Sequence, residues 1–88
     1  MGRVAERITA KLTQAFAPAE LSVTDESHLH AGHAGARPEG ETHFRVRVVS
    51  QAFAGKTPLE RHRMINEVLA DELAGPVHAL AIKAAAPE

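Results

Sequence analysis

Histidine is the residue type in this sequence best suited to chemistry near neutral pH, because imidazole can ligate metals and transfer protons. Of the six histidines in the 88 residues, four fall between Asp25 and Phe44: His28, His30, His33 and His43. This stretch also has three glycines and few large apolar residues, which predicts a loop over residues 26–42. A loop this long in a small domain is typically functional or disordered. Our first hypothesis is therefore a functional, histidine-bearing loop.

The rest of the composition restricts other kinds of chemistry. The sequence has no cysteine, which excludes a disulfide framework, a thiolate nucleophile and a self-contained thiolate metal site. His28, His30 and His33 have a spacing that could hold zinc, but a glycine-rich loop lacks the rigid support of a hydrolytic site. No carboxylate is evidently placed as a general base, and no phosphate loop or serine elbow is present. We therefore predict a protein that is not an enzyme.

Size and hydropathy predict a small globular protein. The 88 residues suffice for one domain, and a hydrophobic share of 44% with 24% charged residues argues against wholesale disorder. The first residues lack the apolar core of a signal peptide, and no apolar run approaches the ~20 residues of a membrane span. We expect a soluble, cytoplasmic protein with no membrane partner.

The first half of the sequence predicts a helix followed by two strands. Apolar residues recur every four positions over residues 2–16, which predicts a helix packed on a sheet, and Pro18 follows its end. Residues 21–25 and 43–50 alternate apolar and polar side chains, as half-buried strands do. In the second strand the alternation places Phe44, Val46 and Val48 on one face and Arg45 and Arg47 on the other. The two strands should form a hairpin around the histidine loop.

The second half predicts a helix and a third strand. Thr57 is placed as an N-cap, Pro58 at the first helical position and Glu60 as the other half of a capping box, so we predict a helix over 57–74. Gly75 and Pro76 follow this helix. A strand over 77–84 ends the chain. The order helix, strand, strand, helix, strand predicts an α+β domain whose three-stranded sheet has helices on one face. The second and third strands could run parallel, because a helix connects them.

Six pieces of the sequence, taken in order, resemble the BolA family. They are Val23–His28, Glu41–Phe44, Val49–Ser50, Phe53–Lys56, Arg61–Met64 and Val77–Ile82. The resemblance covers residues 4–84, although the loop is longer than in the shortest members. It implies a fold related to class II KH domains, which agrees with the predicted order of elements.

The resemblance also implies a function. Many BolA-like proteins pair with a monothiol glutaredoxin and share a [2Fe–2S] cluster with it, in iron–sulfur cluster trafficking or iron sensing. The glutaredoxin's cysteine and a glutathione ligate one side, and BolA imidazoles ligate the other. The family's C-terminal histidine ligand matches His78, and the loop ligand matches His30 or His33. No cofactor is expected in the isolated protein.

The residues alone allow simpler interpretations of these histidines. By its spacing, His78 would be a half-buried residue sharing a face with Leu80 and Ile82. His30 and His33 would be solvated, His43 would support the sheet, and His28 and His62 would have secondary or local roles.

A basic patch supports an alternative function. Bacterial BolA members have also been described as transcriptional regulators, which is consistent with DNA binding by the KH-like helix-turn region together with this basic face. Between residues 43 and 63 only Glu60 offsets five basic residues: Arg45, Arg47, Lys56, Arg61 and Arg63. Such a face could attract the phosphates of DNA. The pI of about 6.6 and the lack of surface aromatics weaken this interpretation. The same residues could contact glutaredoxin or form a solvated face.

Overall fold

The computed structural model of the chain describes residues 2–26 and 42–87. Its element order is α1 (Arg3–Phe16), β1 (Glu20–Asp25), β2 (His43–Val49), a short 3-10 helix (Gln51–Phe53), α2 (Pro58–Val68), α3 (Ala70–Ala74) and β3 (Ala79–Ala85). The predicted α+β order is confirmed. None of the described helices is long and apolar enough to cross a membrane.

The strands form one mixed sheet with β2 at its centre. β1 and β2 pair antiparallel, with Val23 opposite Val46, so the predicted hairpin is present. β2 and β3 pair in parallel, with Val46 opposite Ile82, as the helical connection suggested. The parallel register brings the beginning of β2 beside the beginning of β3.

The core lies between one face of the sheet and the helices. Apolar side chains from α1, β2 and α2 form a single cluster, and several are fully buried: Ile8, Leu12, Val46, Val48, Phe53 and Ile65. Phe53 follows β2 and packs its ring 4.9 Å from that of Phe16, measured between centroids. Burying a side chain of this size contributes about 1.5–3 kcal/mol to stability. The apolar residues that recur every four positions in α1 therefore form the helix face that packs on the sheet.

The start of α2 has the predicted capping box. The hydroxyl of Thr57 accepts a hydrogen bond from the Glu60 backbone N–H at 3.1 Å, and the Glu60 carboxylate accepts one from the Thr57 N–H at 2.8 Å. These bonds satisfy two donors that the first turn of a helix leaves without intrahelical partners.

The helix predicted over 57–74 is interrupted in the structure, which has two helices there. The backbone leaves helical geometry at Leu69 (φ −100°, ψ 19°), and α3 begins at Ala70. Leu69 itself stays buried in the core. Three residues after this turn, Glu72 contacts two cationic side chains of α1. This tertiary contact has no counterpart in the apolar periodicity of the sequence.

The buried Glu72 forms an ionic cluster with Arg7 and Lys11, whose side chains are partly exposed. Arg7 Nη2 lies 2.7 Å from one carboxylate oxygen of Glu72, and Lys11 Nζ lies 2.9 Å from the other. Burial acts to raise the pKa of Glu72, but the hydrogen bond from Lys11 and the nearby positive charges outweigh it and hold the pKa below its ordinary value. The cluster ties α3 to α1.

Candidate metal-binding site at the end of the sheet

The two chain segments that flank residues 27–41 meet at one end of the sheet. The backbone N–H of Glu26 donates to the carbonyl of His43 at 2.7 Å. The carbonyl of Thr42 accepts two hydrogen bonds, from His78 N–H at 2.7 Å and from Ala79 N–H at 3.1 Å. Glu26 and Thr42 are therefore both held at the sheet end where His78 lies.

His78 is exposed and directly precedes β3. The predicted strand began at residue 77, but the ladder begins at Ala79, because His78 and Ala79 both donate to the Thr42 carbonyl. The prediction of a half-buried His78 from its spacing with Leu80 and Ile82 is wrong, because His78 lies before the paired residues of β3 and is exposed. An exposed imidazole is accessible to a metal or to a partner protein.

His43 is the first residue of β2, and its side chain faces His78. Only 6% of its surface is exposed, and the hydroxyl oxygen of Thr42 lies 2.8 Å from its Nδ1. The centroids of the His43 and His78 rings are 5.3 Å apart, with an interplanar angle of 54°. The sequence predicted that His43 supports the sheet and missed this neighbour. The possible parallel pairing of the second and third strands was the signal that could have revealed it.

A shallow depression of about 290 Å³ lies on the sheet surface beside this pair. It is lined by Glu26, His43, Phe44, Arg45, Ala79, Leu80 and Ala81. The side chains contributed by β3 at positions 79 and 81 are only methyl groups. The depression therefore lies directly against His43 and the small side chains of β3.

The loop histidines His28, His30 and His33 lie outside the described residues. Within residues 2–26 and 42–87, no group of three or more histidine or acidic side chains is arranged to hold a metal ion. The described part of the site therefore consists of two imidazoles, those of His43 and His78.

Two residues of the predicted basic patch, Arg45 and Arg47, lie on the sheet face opposite the core and contact acidic neighbours. Arg45 Nε is 3.1 Å from a Glu26 carboxylate oxygen, and Arg47 Nη1 is 2.9 Å from one of Glu20. Exposed ion pairs of this kind contribute little energy, about 0–1 kcal/mol, and exchange partners readily. Both guanidinium groups are therefore partly neutralised within the domain itself.

The other basic residues are in different surroundings. Arg61 donates to the backbone carbonyls of Phe53 and Ala84, each at 3.2 Å, and so joins α2 to the end of β3. Lys56 and Arg63 are exposed. Hydrogen bonds from the backbone and then the side chain of Thr57 lower the pKa of Glu60, which places a carboxylate at the start of α2. That carboxylate occupies the position where a helix start would attract phosphate.

A family model described as "BolA: BolA-like protein" matches residues 12–88. The chain belongs to the BolA family. BolA-like protein 1 of Mus musculus is 55% identical over 86 residues, which are 98% of this chain and 60% of the mouse protein. This BolA-family chain thus spans about three fifths of the length of that relative.

Solved BolA structures agree with the fold. The BolA domain of SufE1 from Arabidopsis thaliana superposes with a TM-score of 0.90 at 47% identity, covering 99% of this chain and 95% of that one. The solution structure of BolA1 from Mus musculus gives a TM-score of 0.84 at 53% identity, covering 99% of this chain and 68% of the mouse chain. Both the family resemblance and the fold predicted from the sequence are confirmed.

Proposed function

We propose that this BolA-family protein is a non-catalytic partner of a monothiol glutaredoxin and donates histidine ligands to a [2Fe–2S] cluster shared between them. The proposed role is iron–sulfur cluster trafficking or iron sensing in the cytoplasm. One observation supports it above the others. The exposed His78 is anchored by Thr42 beside both chain segments that flank the histidine-rich stretch.

The donor set of the chain fits such a cluster. With no cysteine, the protein can contribute only imidazole or carboxylate ligands and must take thiolates from a partner. Iron–sulfur centres of the Rieske type accept two histidines on one iron. His78 would be one ligand, and the other would be His30 or His33. When bound, the cluster would supply the redox-active iron, and the glutaredoxin and glutathione would supply the thiolates.

Chain length limits how far from the anchored Glu26 each loop histidine can lie. A fully extended chain spans at most about 3.6 Å per residue. His30 is four residues from the anchored Glu26 and His33 is seven, which corresponds to at most about 14 Å and about 25 Å. The role of Thr42 would be to fix the backbone of His78 before the cluster binds. The conformational entropy lost on cluster binding would then come mainly from ordering the loop ligand.

The test is visible circular dichroism of the protein mixed with cluster-loaded monothiol glutaredoxin and glutathione. We expect a changed spectrum and a one-to-one complex for the wild type. His78→Ala and one of His30→Ala and His33→Ala should lose or alter the spectrum, because each removes a cluster ligand. His62→Ala is the matched control, since it removes an exposed histidine on α2. Failure of the wild type to form a complex, or a His78→Ala spectrum equal to wild type, would contradict the proposal.

DNA-binding regulation, the alternative drawn from the basic patch, gains no support from the described contacts. Arg45 and Arg47 lie beside acidic partners, and Arg61 is bonded to backbone carbonyls. DNA binding stays a prediction, and within the basic patch it rests on Lys56 and Arg63. If the protein binds duplex DNA at low salt but forms no complex with glutaredoxin, this alternative replaces our proposal.

A further inference from the structure

We propose that two copies of this chain associate through the outer edge of β3, so that their β3 strands pair antiparallel across a two-fold axis and form a six-stranded sheet. This inference goes beyond the proposed function, because it needs neither a glutaredoxin nor the imidazole of any histidine. Each of the two proposals can therefore fail without the other.

β3 is an edge strand, and every second residue directs its backbone groups away from the sheet. The strand order β1-β2-β3 leaves one side of β3 without a neighbouring strand. On the inner side, the Ala79 N–H and the Ala85 carbonyl bond to the two residues that flank β2, at 3.1 Å and 2.9 Å. Because backbone direction alternates along a strand, the N–H and C=O groups of Leu80, Ile82 and Ala84 point outwards. Such a row is a template for pairing with another chain.

This outer edge is closed at both ends and open between them. Arg61 Nη1 donates to the Ala84 carbonyl at 3.2 Å, and the His78 N–H is bonded to the Thr42 carbonyl at 2.7 Å. In the part of the chain that the structure describes, the outward N–H and C=O groups of Leu80 and Ile82 have no such partner. The groups available for pairing are therefore those of two residues.

These two residues favour one symmetric register. Identical edges related by a two-fold axis run antiparallel, and outward residues of one copy then exchange hydrogen bonds with outward residues of the other. With Ala81 on the axis, Leu80 pairs with Ile82 of the second copy, and the same pair forms again on the other side of the axis. An axis at Ile82 would instead need the Ala84 carbonyl, which Arg61 already holds.

The side chains of β3 suit this register. Ala81 would face Ala81 of the second copy in a non-hydrogen-bonded pair, where the Cα atoms are only about 4.5 Å apart and a methyl group fits. Lys83 would face Ala79, so like charges do not meet. Leu80 and Ile82 are half-buried against the core, and a neighbouring strand would cover more of their apolar surface.

The two edges of the sheet also differ in protective charge. Natural sheets block edge pairing with charged side chains. β1 carries Glu20 and Asp25 at its ends, whereas the one charge in β3 is that of Lys83. The net charge of −1 gives two copies little overall repulsion. One pair of edge strands buries less than the roughly 1,600 Å² of a standard interface, so we expect a weak dimer that forms at high protein concentration.

The first measurement is analytical ultracentrifugation of the wild-type protein, without glutaredoxin or glutathione, from about 10 μM to about 1 mM. We expect the sedimentation coefficient to rise towards that of a dimer and no further, because the two-fold pairing is closed. Amide hydrogen exchange should slow at Leu80 and Ile82 as the concentration rises, and should not change in β1. A monomer at every concentration, or protection that appears in β1 instead, would overturn the proposal.

Variants at the axis test the register itself. Ala81→Lys and Ala81→Glu each place two like charges opposite each other, and each should weaken association at least about fivefold. An equimolar mixture of the two variants should associate again, because opposite charges then meet. Ala10→Lys, at an exposed position of α1, is the matched control and should associate like wild type. With far-UV circular dichroism like wild type, undiminished association of Ala81→Lys, or a mixture no stronger than either variant alone, contradicts the proposal.

Discussion

His43 and Glu72 are both polar and nearly or fully buried, yet their surroundings differ in a way that separates structure from function. Glu72 has no exposed surface, and each of its oxygens meets a cation, Arg7 or Lys11. His43 has a neighbour of its own kind, the exposed His78. Opposite charges attract and strengthen the fold at Glu72. His43 is instead held by the contact of its Nδ1 with the Thr42 hydroxyl and lies against a second ring. The two buried polar residues are thus stabilised in different ways, one by ion pairs and the other by hydrogen-bond and ring contacts.

The largest expected effect is at the Glu72 cluster. Glu72→Gln keeps the shape but removes the charge that pairs with Arg7 and Lys11, and we expect a loss of about 2–3 kcal/mol in the free energy of unfolding. Asp71→Asn is the control, because the Asp71 carboxylate is exposed and 3.7 Å from Lys11, and it should cost less than about 0.5 kcal/mol. Urea denaturation measures both. Equal effects of the two variants would show that the buried cluster contributes no more than a surface ion pair.

At the histidine end, we expect stability to depend on His43 and function to depend on His78. His43→Ala removes a nearly buried ring and its contact with Thr42, so we expect a loss of about 1–3 kcal/mol in unfolding free energy. His78→Ala removes an exposed ring and should change stability by less than about 0.5 kcal/mol. Thermal and urea unfolding of the two variants make the measurement. If His78→Ala lowers the unfolding free energy by more than this, His78 has a structural role, as Glu72 does.

The pH dependence should be the smallest of the three effects. The pKa of Glu72 is held below its ordinary value of 4.5 in the folded protein, so its contribution to stability is fully present above that value. The contribution is lost as the pH falls through the lower, folded-state pKa. The stability difference between wild type and Glu72→Gln should therefore be constant from pH 7 to about pH 5.5 and shrink below about pH 4.5. A constant difference down to pH 3 would contradict this assignment.

Local sequence signals were sufficient for most of the fold. The four-residue spacing of apolar residues in α1, the alternation in β2 and the capping box at Thr57 each depend on residues close together in the sequence. Such signals express the geometry of a single helix or strand. They also placed Arg45 and Arg47 on the face opposite the core, where the structure has them.

The features missed depend on residues far apart in the sequence. The turn at Leu69 accompanies the contact of Glu72 with Arg7 and Lys11, more than 60 residues away. The pairing of His43 with His78 follows from the parallel register of β2 and β3. No local periodicity encodes a register between strands that a helical connection separates. His78 was singled out as a ligand through the family resemblance, whereas its spacing alone led to the wrong burial.

The parallel pairing of β2 with β3 also has a consequence for the order of folding. β1 and β2 can form a hairpin early, but the β2–β3 ladder requires closure of a connection that includes both α2 and α3, and such long-range contacts form slowly. A chain that has folded only as far as α2 carries His43 without its neighbour. The two imidazoles therefore come together only late in assembly, once the chain beyond α2 has docked beside β2.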